Sequence, residues 1–432
     1  MHSKWRWLLL QLTRQLWLRA TLFAALGVVT ALFGVVLDPF APRFLTGLVT
    51  AEAVRGVLDI LASSMLAVTT FSLSVMVSAY AAASSDVSPR ATRLVMRDTT
   101  SQNVLATFLG SFLFSLIGIV ALSVGAYGEG GRALLFLVTL VVIVVIAGAI
   151  LRWIDLLSRL GRVGETVDTV ERATLAAIET RLSRPYLGGR PQGDESPPED
   201  ALPISTDRIG YVQFVDIEAL SRLAEEHDVE IRVGATPGAF VHDKENLAWV
   251  LNPGDAEADM VERDLRSAFV IEKERTFEQD PRFGVCVLAE IASRALSPGL
   301  NDAGTAIDVI GRMVRLLTRW SDACAETDAA PVCERILVPP LRTSDLFDDA
   351  FTPIARDGAG IVEVQIRLQK ALAALHALGG EENCAACRRH SELALAQARQ
   401  AMTLDAHRER VEAAAKAIAE AGPDSQASAV AR

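Results

Sequence analysis

A chain of 432 residues, half of them hydrophobic and only 22% charged, is long enough for two or three units of ordinary domain size. The charge is unevenly placed: residues 1–164 carry 13 Lys and Arg against 7 Asp and Glu, or +6, which leaves 29 against 46, or −17, for the rest. An acidic C-terminal part with no basic-aromatic run argues against a nucleic-acid partner, because phosphate binding needs clustered Lys and Arg.

Residues 1–19 interleave Trp5, Trp7 and Trp17 with Lys4, Arg6 and Arg14, the pattern of an amphipathic helix lying in the headgroup layer. Four charge-free segments follow: Ala20 to Leu37, Ile60 to Ser85, Thr99 to Gly128 and Ala133 to Leu151. Each reaches or nearly reaches the ~30 Å of hydrocarbon at 1.5 Å per residue, so residues 20–155 are expected to hold four membrane helices, at about 20–37, 60–83, 104–126 and 133–151. Basic residues gather before the first segment, at Arg90, Arg93 and Arg97, and again at Arg152, Arg159 and Arg162. The positive-inside rule then puts both termini in the cytoplasm, with the lipid bilayer as the chain's first partner.

The second segment is rich in hydroxyls. Ser63, Ala67, Thr70, Ser74, Ser78, Ala81 and Ser85 recur at three- or four-residue spacing and share one helix face, with Ser63, Thr70, Ser74 and Ser78 its pore-lining candidates. Two explanations stay open: small hydroxylated residues let helices approach closely, and the same stripe repeated around a homo-oligomer lines a wettable pore. Asp59 and Asp155, at the ends of the second and fourth segments, are the carboxylates nearest the bilayer and can reach its interface. After the second segment, Ser88 is placed to cap a short helix with Pro89 at its first position, with Arg90, Arg93 and Arg97 along one face. That face suits lipid or domain docking, or a basic ring at an inner pore mouth.

Residues 156–206 read as a helix running on from the membrane, then an exposed linker with five prolines between Ser183 and Thr206. The folded part, residues 207–421, begins with a strand at Gly210 to Val215, a helix capped by Asp216, a strand at Val229 to Val233, and a strand pair around Ala239 to Val241 and Leu247 to Leu251. Helices then dominate: 255–268, 283–295, 302–320, 359–378 and a long terminal stretch over 392–421. Residues 422–432 are small and polar, as in a disordered tail. The expected fold is therefore a membrane protein with an all-α four-helix transmembrane part and a cytoplasmic α+β domain with a helical majority.

Within that domain the turn Leu296-Ser297-Pro298-Gly299-Leu300-Asn301-Asp302 stands out. Asn301 or Asp302 can cap the next helix and Thr305 can reach back to it, while a helix N-terminus can also take an anion, so Ser297, Asn301, Asp302 and Thr305 form a helix cap or a ligand turn. Cys384-Ala385-Ala386-Cys387 with His390 is the one metal-like cluster, and it lacks the second ligand pair of a structural zinc site, so no metal and no cofactor is expected. The five cysteines are odd in number and all lie beyond the membrane part, as reduced cytosolic thiols would. GxxxxGK[ST], strand-linked GxGxxG, HExxH and GxSxG patterns are all missing, which makes an enzyme the least favoured class.

Three separated stretches resemble one known family. Ser84-Ser85-Asp86-Val87-Ser88-Pro89-Arg90 with Arg97-Asp98-Thr99-Thr100-Ser101-Gln102, then Asp280-Pro281-Arg282-Phe283-Gly284, then Ala295 to Ala306 occur in the order found in the bacterial membrane proteins named for domain of unknown function 2254. The resemblance spans nearly the whole chain and implies a multi-span inner-membrane protein with a cytoplasmic C-terminal domain, but no activity. Many members carry histidines at the end of the fourth span. This chain has Ile154-Asp155-Leu156-Leu157 there, so a metal or proton role does not carry over. The functional expectations are an oligomeric channel gated by its cytoplasmic domain or, in another class, a membrane-anchored sensor or scaffold whose domain binds a cytoplasmic protein partner or a small ligand.

Overall fold

A computed structural model describes residues 21, 25, 29, 50–86, 88–96, 99–159, 162–193, 195–252, 258–324 and 332–420. The expected interfacial helix, nearly all of the first expected span, Arg97 and the tail lie outside the described residues. The chain divides into two compact units, one of residues 2–85 and 92–165, the other of Asp86–Ala91 with Thr166–Arg432.

In the first unit, α1 (Ala51–Asp86), α3 (Thr99–Ser123) and α4 (Glu129–Arg159) are long and apolar enough to cross a membrane. Four spans were expected and three such helices are described, covering the second, third and fourth. The second begins nine residues earlier than its charge-free run, because Glu52, Arg55 and Asp59 sit in its first turns, and Arg55 lies 4.0 Å from Asp59 one turn on. Asp155 is likewise 3.2 Å from Arg159 in the last turns of α4. Helices α1, α3 and α4 share a core that includes Leu58, Met65, Phe108, Phe114, Leu135 and Ile146. At Gly118 of α3 an added Cβ would sit 2.9 Å from Leu58 Cδ1, so the absence of a side chain there is what lets Leu58 pack in.

The short α2 (Pro89–Met96) starts as the sequence implies, with proline first and Arg90 N donating to Ser88 Oγ at 3.2 Å.

In the second unit, α5 (Val163–Ser183) leads into two sheets. The larger has the order β1 (Arg190–Pro191), β8 (Ile336–Val338), β4 (Glu230–Val233), β6 (Asn246–Leu251), β2 (Leu202–Ser205). Pairings β1–β8 and β8–β4 are parallel; β4–β6 and β6–β2 are antiparallel. The smaller sheet is antiparallel, in the order β5 (Phe240–Val241), β3 (Gly210–Val215), β7 (Phe269–Glu272). Two expectations need correction. The segment Ser183 to Thr206 gives β1 and β2 to the larger sheet, where buried Ile204 supplies the apolar contact. The strands at 240–241 and 246–251 do not pair with each other but lie in different sheets, since alternation marks strands and leaves their partners undetermined.

Helix α6 (Ile217–Glu226) is capped by Asp216, whose Oδ1 accepts from Ala219 N at 3.1 Å. After α7 (Ala258–Ser267) the chain is helical: α8 (Pro281–Ala295), α9 (Ala303–Cys324), α10 (Thr343–Asp357), α11 (Val362–His376), α12 (Glu381–Ala401) and α13 (Asp405–Glu420). The expected terminal helix over 392–421 is two helices with Cys384 and Cys387 inside the first, and α10 lay outside expectation altogether. Pro353 within α10 removes a backbone donor and hides a helix that buries Leu346, Phe347, Ala350, Phe351 and Ile354.

The stretch Asp280 to Gly284 organises this unit. Asp280 caps α8 through Phe283 N at 3.1 Å and takes a fork of two bonds from Arg275, at 2.8 and 3.0 Å. Arg282 reaches Asp345 at 2.9 Å and Asp349 at 2.6 Å on α10. Phe283 lies 4.7 Å from Phe277 and 5.1 Å beneath the Arg275 guanidinium. Gly284 admits α5, since a Cβ there would meet Thr174 Oγ1 at 2.1 Å.

Candidate functional site

Two of the family-like stretches meet in the second unit. Ser88, Pro89 and Arg90 line one side of a cleft of about 660 Å³ whose opposite side is formed by the end of α8 and the Ser297-Pro298 turn. Ser88 Oγ donates to Glu290 Oε2 at 3.1 Å, and Arg90 forms an ion pair with the other oxygen of the same carboxylate. Two hundred residues apart in sequence, these groups share one acceptor. Ser293 Oγ donates to Asp357, whose carboxylate is also held by Arg356 at 2.6 Å. The Arg356 side chain keeps the Asp357 carboxyl below its usual value, against a smaller opposing effect of burial. Four charged side chains line the cleft, Arg90 and Arg294 against Glu290 and Asp357, so its formal charge is balanced.

The turn residues divide. Ser297 lines the cleft; Asn301, Asp302 and Thr305 are not among its lining. Asp302 caps α9, with Thr305 N donating to Oδ1 at 3.0 Å and Thr305 Oγ1 to Oδ2 at 2.6 Å, and these bonds hold its carboxyl below the usual range. Asn301 takes a left-handed conformation, φ 50°, that closes the turn. The cap and the cleft are neighbours in sequence with separate duties.

Of the basic trio, Arg90 is engaged by Glu290, Arg93 falls in the first unit and Arg97 lies outside the described residues. Arg90 and Arg93 stand three residues apart on α2.

The hydroxyl stripe of α1 is exposed at Ser63, Thr70, Ser74 and Ser78. Its hydroxyls are turned onto their own helix: Ser63 donates to Asp59 O at 2.9 Å, Thr70 to Leu66 O at 2.9 Å and Ser78 to Ser74 O at 3.0 Å. A hydroxyl satisfied in this way can face lipid, a second protomer or water at little cost. Sequence reasoning missed a different set. Ser72 on α1 and Ser111 and Ser115 on α3 are fully buried, and their hydroxyls have no hydrogen-bond partner among the described residues. Their spacing matches that of ordinary small interface residues, and nothing local marks them as unpaired.

Cys384, Cys387 and His390 lie along α12 and serve different neighbours. Cys384 Sγ is 3.5 Å from His376 O, Cys387 is fully buried with its thiol pushed up to about 12 by burial, and His390 Nε2 is 3.0 Å from Asp348 Oδ1. No group of three or more His, Cys, Asp or Glu suited to a metal ion occurs among the described residues.

The family described as "Predicted membrane protein (DUF2254)" matches residues 13–374, a range that includes both sides of the cleft. The uncharacterised proteins Rv1290c of Mycobacterium tuberculosis and Mb1321c of Mycobacterium bovis are each 31% identical over 265 residues, covering 59% of this chain and 50% of theirs. The chain thus spans about half the length of the curated relatives it matches. No solved structure matches it.

Proposed function

The chain belongs to the family of predicted membrane proteins named for domain of unknown function 2254, and from that premise we propose that it is a membrane-anchored sensor whose C-terminal unit binds a small ligand in the cytoplasm. The observation that carries this reading is the shared grip of Glu290 on Ser88 and Arg90. In sequence, the Asp86–Ala91 segment joins α1 to α3, yet it is counted with the C-terminal unit. A change at α8 therefore reaches the connection between two apolar helices through one carboxylate. On this proposal the protein is multi-pass in a bacterial inner membrane, residues 20–37 supply a fourth span, both termini are cytoplasmic, and it acts without catalysing a reaction or binding nucleic acid.

The test reverses that carboxylate. Glu290→Lys places a cation beside Arg90 and removes the acceptor of Ser88. Hydrogen exchange of the full chain in nanodiscs is expected to rise at residues 88–96. Unchanged exchange there, with the C-terminal unit still folded, refutes transmission through this segment.

A second reading, an oligomeric channel, is favoured by the exposure of the α1 stripe on the protomer. Here copies of the chain bring Ser63, Thr70, Ser74 and Ser78 around a shared path, gated by the C-terminal unit. Planar-bilayer recording discriminates. A conductance lost in Ser74→Leu supports the channel, and silence under all voltages and tensions leaves the sensor alone.

A further inference from the structure

Arg181, in the last turn of α5, is a buried cation with no carboxylate partner among the described residues. The residue is only 9% exposed, one of its donors reaches Pro339 O at a long 3.4 Å, and no carboxylate lies within ion-pair distance of it among the described residues. The neighbouring arginines differ. Arg275 is held in a fork by Asp280, and Arg282 is shared between Asp345 and Asp349. All three arginines line a cavity of about 260 Å³ at the start of α8, walled by Pro237, Pro340 and Leu341.

We propose that this cavity binds the carboxylate of a small organic acid, with Arg181 as its two-pronged partner. A guanidinium removed from water needs an anion or a full set of acceptors, and its planar fork matches a carboxylate. Asp280 offsets Arg275, and Asp345 and Asp349 offset Arg282, which leaves Arg181 as the arginine of the lining with no carboxylate partner among the described residues. A monocarboxylate supplies that missing partner, whereas a phosphate dianion brings a second charge to face Asp280 and Asp345. The cavity is smaller than the ~300–1,000 Å³ clefts that hold drug-sized ligands, and its proline and leucine walls suit a short aliphatic body. The N-terminus of α8 is not the attraction, because Asp280 already caps it through Phe283 N. Burial pulls the Arg181 guanidinium down to about 10, the response of a cation that has lost water and gained no anion. Helix α8 runs from this cavity to Glu290, so the site deepens the sensor reading and rests on it only for its consequence. Binding itself stands apart.

Isothermal titration of the full chain in detergent micelles, at fixed ionic strength, compares sodium butyrate with inorganic phosphate and with chloride. Saturable one-to-one binding of butyrate is expected, at least tenfold tighter than phosphate, with no response to chloride. Arg181→Gln is expected to weaken butyrate at least tenfold. Should that variant not fold, Asp345→Asn gives an independent check: removing one lining carboxylate is expected to narrow the preference for butyrate over phosphate. The proposal is overturned if the unaltered protein shows no saturable butyrate binding, if phosphate binds as tightly, or if folded Arg181→Gln binds butyrate unchanged. Butyrate binding that leaves hydrogen exchange at residues 88–96 unaltered keeps the site and refutes the sensor.

Discussion

Ser88 Oγ and Glu290 Oε2 lie 3.1 Å apart, and Arg90 shares the same carboxylate. Both charged side chains are substantially exposed, 55% for Arg90 and 38% for Glu290, so water screens their attraction. Glu290→Gln keeps an acceptor for Ser88 and removes the charge facing Arg90. It is expected to lower the stability of the C-terminal unit by less than about 1 kcal/mol. Chemical denaturation followed by intrinsic fluorescence checks this, and a loss above about 2 kcal/mol would mean that the pair is a structural support and not a surface link.

Gly284 makes a sharper prediction, because its neighbour cannot withdraw. A Cβ at this position would lie 2.1 Å from Thr174 Oγ1 and 2.7 Å from Thr174 Cβ, and Thr174 is buried with its hydroxyl bonded to Val170 O at 2.7 Å. Gly284→Ala is expected to cost about 1–3 kcal/mol through overpacking. Adding Thr174→Ala removes the closest atom and leaves the Cβ, so a double-mutant cycle should show partial rescue. Strict additivity would place the strain elsewhere.

Local chemistry was legible in the sequence: the Ser88-Pro89 helix start, the Asp216 cap and the Asp302–Thr305 cap all follow from neighbouring residues and all occur. Long-range pairing was not. Nothing near Phe240 says that its strand joins β3 instead of β6, and Pro353 masked α10 with its buried Phe347 and Phe351. Arg181 shows the limit at the site. An arginine in a helix's last turn looks like an ordinary partner for the helix dipole, and its burial without a carboxylate depends on Pro339, 158 residues away.

The ion-pair cluster between α5 and α9 separates a buried arginine from an exposed one. Arg312, 10% exposed, contacts Asp168, Glu171 and Asp308, while Arg315, 60% exposed, forks onto Glu171 at 2.7 and 2.9 Å. Arg312→Met should cost about 3 kcal/mol, because three carboxylates lose a common partner, one of them largely buried. Arg315→Met should cost about 1 kcal/mol or less. Burial pushes the Glu171 carboxyl up, but Arg315 and Arg312 outweigh it and hold the group below its ordinary 4.5. Its contribution is thus present above that pH and lost as pH falls through the folded value. Equal losses in the two variants, measured by thermal unfolding at pH 7, would contradict the assignment.

The two buried histidines set stability at higher pH. His376 is 4% exposed and its Nε2 has no partner among the described residues; His390 is 2% exposed, with Phe347 and Phe351 each 6.1 Å from its ring. Burial lowers both below the ordinary 6.5, helped by Arg388 at His376 and by Arg389 at His390, where Asp348 pulls the other way. A base whose folded value is depressed binds fewer protons when folded than when unfolded. Its contribution is therefore complete above 6.5 and is lost as pH falls through the folded value. The helical part of the C-terminal unit should lose stability as pH falls below about 6.5, by at most about 1.4 kcal/mol per pH unit for each histidine. Glu171, Asp302 and Asp357, all held below their ordinary values, act in a lower window and do not mimic this slope. His376→Gln is expected to remove its share of the slope, and the double variant with His390→Gln to flatten the window. A slope unchanged in the double variant, read from melting temperatures at pH 7.5, 6.5 and 5.5, would assign the loss to other groups.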